Sequence, residues 1–198
     1  MLKASVKDNR VVTGKVRLSY ANLNEPRSIE NGPAKYSAVI VIPKDDKATY
    51  DAIRKAQAHT VKNGKHKWGG KIPPSFKGSL FTMHDGDEEA DLERNPEYEG
   101  CWYMNVSNTR QPGLVDRARQ PILDATEVYS GCYARVAISC FPFNQQGNKG
   151  VSFGLDHVQK LADGEPLGNM ITAEAAFDDL DDDEDLEDEG EYDDEDYI

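Results

Sequence analysis

Short segments with a hydrophobic period of two residues recur along the chain, and they restrict its fold more than any other feature. In residues 12–20 (VTGKVRLSY) small or apolar residues alternate with polar ones, which is the pattern of a half-buried strand. Residues 33–44 (PAKYSAVIVIPK) predict a second strand, whose run Ala38–Ile42 is apolar enough to be buried on both faces. Similar patterns predict further strands in residues 101–108, 131–143 and 151–161.

One segment departs from this pattern and predicts a helix. Residues 45–64 (DDKATYDAIRKAQAHTVKNG) place apolar side chains on one helical face, between an Asp pair that can cap the N-terminus and an Asn-Gly stop. Many short strands, one inserted helix and long loops indicate a mainly β protein, either a small barrel or a sandwich. An elaborated OB fold fits best, which is a five-stranded barrel that commonly binds single-stranded nucleic acid.

Charge divides the chain into unlike parts. Residues 174–198 contain 16 acids and no Lys, Arg or His, so they cannot bury enough apolar surface to offset the entropy of ordering. Residues 1–173 hold all 23 Lys and Arg with the remaining 20 acids, a net charge of +3 against −13 for the whole chain. We therefore expect one folded domain over residues 1–173 and a disordered acidic tail over residues 174–198.

The folded part is itself uneven in charge. Residues 1–84 carry 16 bases and 6 acids, whereas residues 85–99 (DGDEEADLERNPEYE) carry 8 acids and one Arg. A basic half predicts a polyanionic partner.

Three cysteines without a CxxC pair predict buried thiols, and neither a signal peptide nor a membrane-spanning run is recognisable. We therefore expect a soluble protein of a reducing cytoplasm, without a membrane partner.

A basic stretch with aromatic residues, 62–77, is the first candidate for nucleic-acid contacts. Its lysines can follow a phosphate backbone, and its rings can stack on bases of any identity. The candidate residues are Lys62, Lys65, Lys67, Trp68, Lys71, Phe76 and Lys77. The alternative is a solvated loop whose Trp68 and Phe76 are buried in the core.

Two further groups are candidates for the same role. The polar face of the first strand carries Lys15 and Arg17, with Tyr20 at its end. Alone this face is typical of ordinary solvent exposure, but a second basic segment on the same side would complete a groove. The candidates for that segment are Arg110, Arg117, Arg119 and Arg135. In the aromatic-rich strands, alternation places most rings in the core, and Tyr103 and Phe143 are the candidates for an exposed stacking platform.

Residues 84–89 (HDGDEE) are the one acidic cluster with possible metal-binding chemistry, since hard cations take clustered oxygen ligands. The cluster lacks the spacing of a calcium loop, and an acidic surface loop is the more economical interpretation. The sequence contains no phosphate-binding loop, dinucleotide-binding glycine motif, zinc-protease motif or nucleophilic-serine motif. We therefore expect a protein that is not an enzyme and needs no metal or other cofactor.

Residues 131–168 (GCYARVAISCFPFNQQGNKGVSFGLDHVQKLADGEPLG) closely resemble the C-terminal core of a family of bacteriophage single-stranded-DNA-binding proteins. The shared features are the GCY strand start, the aromatic-Pro-Phe-Asn strand end, the Gly-Asn turn and the DGEPLG ending. Residues 100–116 (GCWYMNVSNTRQPGLVD) resemble the central strand and loop of that family. Together with the KWGG region, the resemblance covers nearly all of residues 1–170.

This resemblance implies an OB fold and non-catalytic binding of single-stranded DNA in phage replication, recombination or repair. It implies action in the cytoplasm of the infected bacterium. It also implies an acidic, flexible C-terminal segment with an apolar end.

The resulting hypothesis is sequence-nonspecific binding, in which Lys and Arg side chains contact the phosphates and aromatic rings stack on the nucleobases. The acidic tail would compete with DNA and would present Phe177, Tyr192, Tyr197 and Ile198 to phage or host replication proteins. Two other classes stay open. One is an acidic protein-binding module that mimics DNA, favoured by the tail and opposed by the basic half. The other is a metal-dependent phage nuclease that uses the acids of residues 84–89.

Overall fold

Strand periodicity dominates the structure as it dominates the sequence. The computed structural model describes residues 2–28, 32–72, 83–145 and 148–168. Its strands are β1 (Ser5–Lys7), β2 (Arg10–Val12), β3 (Val16–Arg27), β4 (Lys35–Pro43), β5 (Met83–Asp85), β6 (Cys101–Asn108), β7 (Gly113–Val115), β8 (Tyr133–Gln145) and β9 (Asn148–Ala162). The predicted mainly β fold is confirmed.

The long strands β3, β4, β6, β8 and β9 build one curled, half-barrel sheet. Its order is β1-β2-β8-β3-β4-β6-β5, and β9 pairs with β8 and with β7. All of these pairs are antiparallel except β7 with β9. The curl brings β6 towards β9, where the amide Nδ2 of Asn108 donates to the carbonyl of Leu155 at 3.1 Å. The short strands β1, β2, β5 and β7 are the elaboration of this OB-like core.

The predicted helix forms as α1 (Lys47–Asn63). The Asp46 carboxylate accepts the backbone N–H of Thr49 at 3.0 Å, and the chain leaves the helix at Gly64. Such an N-cap contributes about 1 kcal/mol. The apolar stripe of α1 is buried, including Ile53 and Ala56, which are both fully inaccessible. This stripe packs against β1, β2 and β8 and closes one end of the sheet.

Strand β4 is buried on both faces, as its apolar run predicts. Ala38, Ile40 and Ile42 belong to the main core, whereas Val39 and Val41 form a second cluster with Tyr98. Tyr98 comes from the acidic stretch 85–99, so this stretch is not simply the acidic surface loop expected from residues 84–89. It contains α2 (Gly86–Glu89) and a 3-10 turn at Pro96–Tyr98, because the outer face of β4 needs a cover.

All three cysteines are free, and burial raises the pKa of the Cys140 thiol to about 11. Neither helix of the described ranges has the length and apolarity that a bilayer crossing requires. Contacts within the chain group residues 1–168 into one unit. The proposed partner-binding residues of the tail, Phe177, Tyr192, Tyr197 and Ile198, lie outside the described residues.

Candidate nucleic-acid interface

Two aromatic side chains stand next to each other on one face of the β8–β9 hairpin. Phe141 and Phe143 are two residues apart on β8, so they point to the same face of the sheet. Their partners across the ladder are Ser152 and Gly150, which are too small to cover the rings. As a result Phe141 remains 44% exposed and Phe143 half-buried.

Glycines on β9 make room for these rings. A Cβ atom on Gly150 would lie 2.8 Å from the Phe143 ring, and one on Gly154 would lie 3.7 Å from the Phe141 ring. The first distance is shorter than van der Waals contact, so a side chain at position 150 would displace the ring. Gly150, Ser152 and Gly154 of β9 therefore form the surface against which the two rings pack.

The aromatic pair lines a groove that continues across the sheet. A cavity of about 520 Å³ beside the rings adjoins a second cavity of about 380 Å³. The two share Asn108, Ser139 and Asp156, and we call the combined feature the β8–β9 groove. Its other lining residues include Lys35 and Ser107 in the first part and Arg10, Arg110, Gln111 and His157 in the second.

The charge of the β8–β9 groove is suited to a polyanion. Lys35 lies in one part, and Arg10 and Arg110 lie in the other. All three side chains are exposed. Asp156 is the only carboxylate among the described residues that line the two cavities. The groove thus combines cations for phosphates with uncovered rings for bases.

The described part of the basic stretch, residues 62–72, contacts the end of β8 that carries Phe143, but not in the predicted way. Residues Lys65–Trp68 form a 3-10 turn in which Trp68 is only 5% exposed. The indole Nε1 of Trp68 donates to the carbonyl of Phe143 at 2.9 Å, and Asn144 donates to the carbonyl of Lys67 at 3.1 Å. The prediction that Trp68 offers a free ring to a base is wrong here, because the ring packs in the core.

The lysines of this stretch remain available. Lys62, Lys65, Lys67 and Lys71 are all exposed. Because Trp68 attaches the turn to Phe143, these cations lie at the end of β8 that carries the aromatic pair. Phe76 and Lys77 lie outside the described residues.

The polar face of the first predicted strand, which carries Lys15 and Arg17, lies outside the β8–β9 groove. The Lys15 ammonium lies 4.1 Å from the centre of the Tyr133 ring. The Arg17 guanidinium donates to the carbonyls of Gly131 at 3.2 Å and Glu165 at 2.8 Å. Arg17 therefore joins β3 to the segment after β9, and the cavities at Lys15 and Arg17 share no lining residue with the β8–β9 groove.

Tyr20 also lies apart from the groove. The strand register shifts between Ser19 and Asn22, and Tyr20 adopts a φ of 46°, so the alternation of the strand ends there. Its ring is 59% exposed, while its hydroxyl donates to the Asn95 side-chain oxygen at 2.7 Å. Tyr103 is half-buried, with ring centres 4.6 Å from Tyr98 and 5.1 Å from His84. Both tyrosines line a cavity of about 430 Å³ beside the acidic stretch.

The four candidate arginines are not brought together. Arg110 lines the β8–β9 groove, where its backbone N–H donates to Asn108 Oδ1 at 3.1 Å. Arg117 and Arg119 are exposed in the loop after β7. Arg135 is half-buried, and its Nε donates to the carbonyl of Thr13 at 3.1 Å. The structure thus supports Arg110 as a groove residue and gives Arg135 a structural contact.

The acids of residues 84–89 are engaged with each other and with one lysine. Lys44 contacts the carboxylates of Asp85 and Asp87, the latter at 2.7 Å. These two hydrogen bonds, that to Asp85 first, raise the pKa of Lys44, and the Lys44 contact lowers the pKa of Asp87. His84 contacts Glu89 at 2.7 Å. Over the described ranges, no group of three or more His, Cys, Asp or Glu side chains is arranged to hold a metal ion.

Phe141, Lys35 and Arg10 are groove residues that the sequence does not single out. Phe141 follows the buried Cys140 and precedes Pro142, so nothing local distinguishes it from a core ring. The available signal is the spacing of small residues at 150, 152 and 154, opposite an aromatic-x-aromatic pair. Small residues facing large ones across a hairpin leave the rings uncovered.

Comparisons with known proteins identify relatives. The family model of the single-stranded-DNA-binding protein of Enterobacter phage Enc34 matches residues 9–187. A solved structure of that protein in complex with ssDNA has a TM-score of 0.70 and 28% identity, covering 84% of this chain and 98% of the other. A structure of its C-terminal truncation has a TM-score of 0.64 and 28% identity, covering 80% and 89%.

Two further proteins share the sequence or the fold. Putative protein p50 of Acyrthosiphon pisum secondary endosymbiont phage 1 is 29% identical over 180 residues, covering 86% of this chain and 94% of that protein. The solved structure of gp2.5, a single-stranded DNA binding protein of bacteriophage T7, has a TM-score of 0.56 at 14% identity. The match covers 83% of this chain and 92% of the other, and it supports the fold alone. From the family match over residues 9–187, we conclude that this chain belongs to the single-stranded-DNA-binding protein family of Enterobacter phage Enc34.

Proposed function

We propose that this protein binds single-stranded DNA in the β8–β9 groove with weak dependence on base sequence. The observation that carries the proposal is the uncovered aromatic pair, Phe141 and Phe143, in a groove that also holds Lys35, Arg10 and Arg110. The family membership and the relative solved in complex with ssDNA support the same ligand.

The proposed mechanism joins two contacts of low sequence information. Aromatic rings stack on unpaired bases of any identity, which contributes about 1–3 kcal/mol per base. Cations at both parts of the groove neutralise phosphates and release the counterions that those phosphates had held. Duplex DNA keeps its bases stacked inside the helix, so it cannot use the rings and is expected to bind less well.

A salt series tests the phosphate contribution. The logarithm of oligo-dT affinity should fall linearly with the logarithm of salt concentration, with a slope of about −0.7 for each phosphate neutralised on a single strand. Replacing Lys35 by Ala should make this slope shallower by about one contact, or roughly 0.7. Fluorescence anisotropy with a labelled oligonucleotide measures both.

Lys55→Ala is the matched control, since Lys55 is an exposed lysine on α1 that lines neither cavity of the groove. An equal change in slope for the two variants would contradict a groove-specific contact. Absence of oligo-dT binding at low salt would instead favour a DNA-mimicking module, which has no reason to hold DNA.

The biological role that follows is protection and organisation of single strands during phage DNA replication, recombination and repair, in the host cytoplasm. The protein would act without catalysis. Labelled single strands incubated with magnesium or manganese should stay intact. Cleavage that is lost on Asp85→Ala would support a nuclease instead.

The acidic tail is proposed to compete with DNA and to recruit replication proteins. Its 16 acids in residues 174–198 resemble the closely spaced charge of the ligand, and Phe177, Tyr192, Tyr197 and Ile198 add apolar contacts that solubility does not require. The competition predicts that a 1–173 truncation binds oligo-dT more tightly than the full chain at low salt. The difference in affinity should shrink as salt rises, because screening weakens the electrostatic attraction of the groove both to the tail and to the DNA.

Equal affinity of the two forms at low salt would exclude competition by the tail. Recruitment needs its own measurement, a pull-down of replication proteins from infected cells. Replacement of Tyr197 and Ile198 by Ala in the full chain should reduce capture, and unchanged capture would contradict the docking role.

A further inference from the structure

The position of Asp156 in the β8–β9 groove is unusual for a surface that receives phosphates. Asp156 lines both cavities and is the groove's only carboxylate among the described residues. In the described part of the chain it forms no ion pair, since neither Arg10 nor Arg110 reaches it. An unneutralised carboxylate would repel a phosphate, so contact with the DNA backbone cannot explain the position of Asp156.

The strand geometry places this carboxylate in the groove. Ala137 pairs with His157 and Ile138 with Leu155, so β9 has one extra residue, Asp156, between two consecutive pairs. Such a bulge re-aims a side chain that regular pairing would place differently. Here it leaves both Asp156 and His157 out of the core, between the buried Leu155 and Val158.

A hydrogen bond fixes one side of the carboxylate. The hydroxyl of Ser139 donates to Asp156 Oδ2. Ser139 lies on β8 two residues before Phe141, on the same face as the aromatic pair. The other oxygen, Oδ1, accepts no hydrogen bond from any described side chain or backbone group, and Asp156 lines the same cavity as the two rings.

We propose that Asp156 reads the edge of one base in the bound strand and favours a base with an exocyclic amino group. The proposal rests on the proposed function, since it assumes that single-stranded DNA occupies the groove. An ionised carboxylate only accepts hydrogen bonds. The N4 amino group of cytosine is a donor that Asp and Glu accept in nucleic-acid complexes.

Thymine is the disfavoured base by the same chemistry. It carries a carbonyl oxygen where cytosine carries the amino group, so the carboxylate would face another acceptor. Both pyrimidines stack on a phenyl ring, and both carry the same phosphates. A comparison of the two bases therefore isolates the edge contact from stacking and from charge.

The assignment gives each kind of side chain one role: Phe141, Phe143 and Asp156 contact bases, whereas the cations Lys35, Arg10 and Arg110 contact phosphates. A site of this kind is broadly tolerant of sequence and discriminates at one position.

The test compares oligo-dC with oligo-dT of equal length and label, at mildly alkaline pH where oligo-dC does not self-pair. The full-length protein should bind oligo-dC about fivefold more tightly, corresponding to the lower end of the discrimination known for a good base contact. Asp156→Asn should abolish the preference and tighten oligo-dT, because the amide can donate to the thymine carbonyl and no longer repels phosphate. Ser139→Ala should reduce the preference by freeing the carboxylate.

Asp51→Asn is the matched control, since Asp51 is an exposed carboxylate on α1 that lines neither part of the groove. It should leave the dC/dT ratio of the parent protein unchanged. Thermal unfolding of each variant confirms that the fold is retained. Equal affinity of the parent protein for the two oligonucleotides overturns the inference, and so does a preference that persists in Asp156→Asn. Failure to bind either oligonucleotide at low salt overturns the proposed function itself.

Discussion

Replacing Phe141 and Phe143 together by Ala is expected to weaken oligo-dT binding by about two orders of magnitude. Each ring that stacks on a base contributes about 1–3 kcal/mol, and each 1.4 kcal/mol corresponds to roughly a factor of ten in affinity. The loss should appear at all salt concentrations, because stacking does not release counterions. The slope of affinity against salt should therefore stay that of the parent protein.

Two further variants make this result specific. Leu123→Ala removes an apolar side chain that is 96% exposed in the loop after β7, and it should leave the affinity unchanged. Phe141→Tyr keeps a ring at the groove and should retain most of the binding. Phe141→Ala alone is expected to leave stability nearly intact because the ring is 44% exposed, and urea unfolding checks this.

Tyr20→Ala tests the rival surface in the same assay. Tyr20 is 59% exposed and lines the cavities on the side of the acidic stretch, together with Asn95. Unchanged affinity is expected. A large loss for Tyr20→Ala with none for the Phe141 and Phe143 variant would move the binding site to that side of the protein.

The periodic elements could be predicted from sequence because their signals are local. The segment 101–108 forms β6 as predicted, with Met104 and Val106 buried in the main core and Tyr103 packed against the other cluster. Helix α1 begins after an Asp cap and ends at Gly64, where the pattern indicates. In each case one window of the sequence contains the whole signal.

The groove could be predicted only in part, because it depends on which residues meet across the sheet. Phe143 is a candidate from sequence, whereas Phe141 is among the rings expected in the core, although the two lie on the same face of β8. Its exposure follows from the register that places Ser152 and Gly154 beside it. The bulge at Asp156 is equally hidden, since nothing in a single strand shows that its partner has one residue fewer.

Trp68 shows the opposite failure, in which a local signal is overruled by a distant contact. Glycines and lysines around it are typical of an exposed loop, yet its hydrogen-bond partner is the carbonyl of Phe143, which lies 75 residues away in the chain. Basic and aromatic composition therefore drew attention to a segment that contacts the end of β8, but it gave the wrong role for the Trp68 ring.

Replacing Trp68 by Ala is expected to lower the free energy of unfolding by about 3–5 kcal/mol, the usual cost of truncating a buried Trp to Ala. The ring is 5% exposed, and its indole N–H satisfies the Phe143 carbonyl at 2.9 Å. Lys67→Ala, at the exposed neighbour, should change stability by no more than about 0.5 kcal/mol. Urea unfolding followed by circular dichroism measures all three proteins.

Trp68→Phe separates the core role from a DNA contact. It keeps most of the apolar volume but removes the indole N–H, which leaves the Phe143 carbonyl without its partner and costs about 1–3 kcal/mol. Where this variant is folded, its oligo-dT affinity should equal that of the parent protein, because the groove rings are unchanged. A loss of affinity without a loss of stability would mean that the Trp68 ring reaches the DNA. Since Trp68 joins the lysines of residues 65–71 to the aromatic end of β8, Trp68→Ala should also make the salt slope shallower while Trp68→Phe leaves it unchanged.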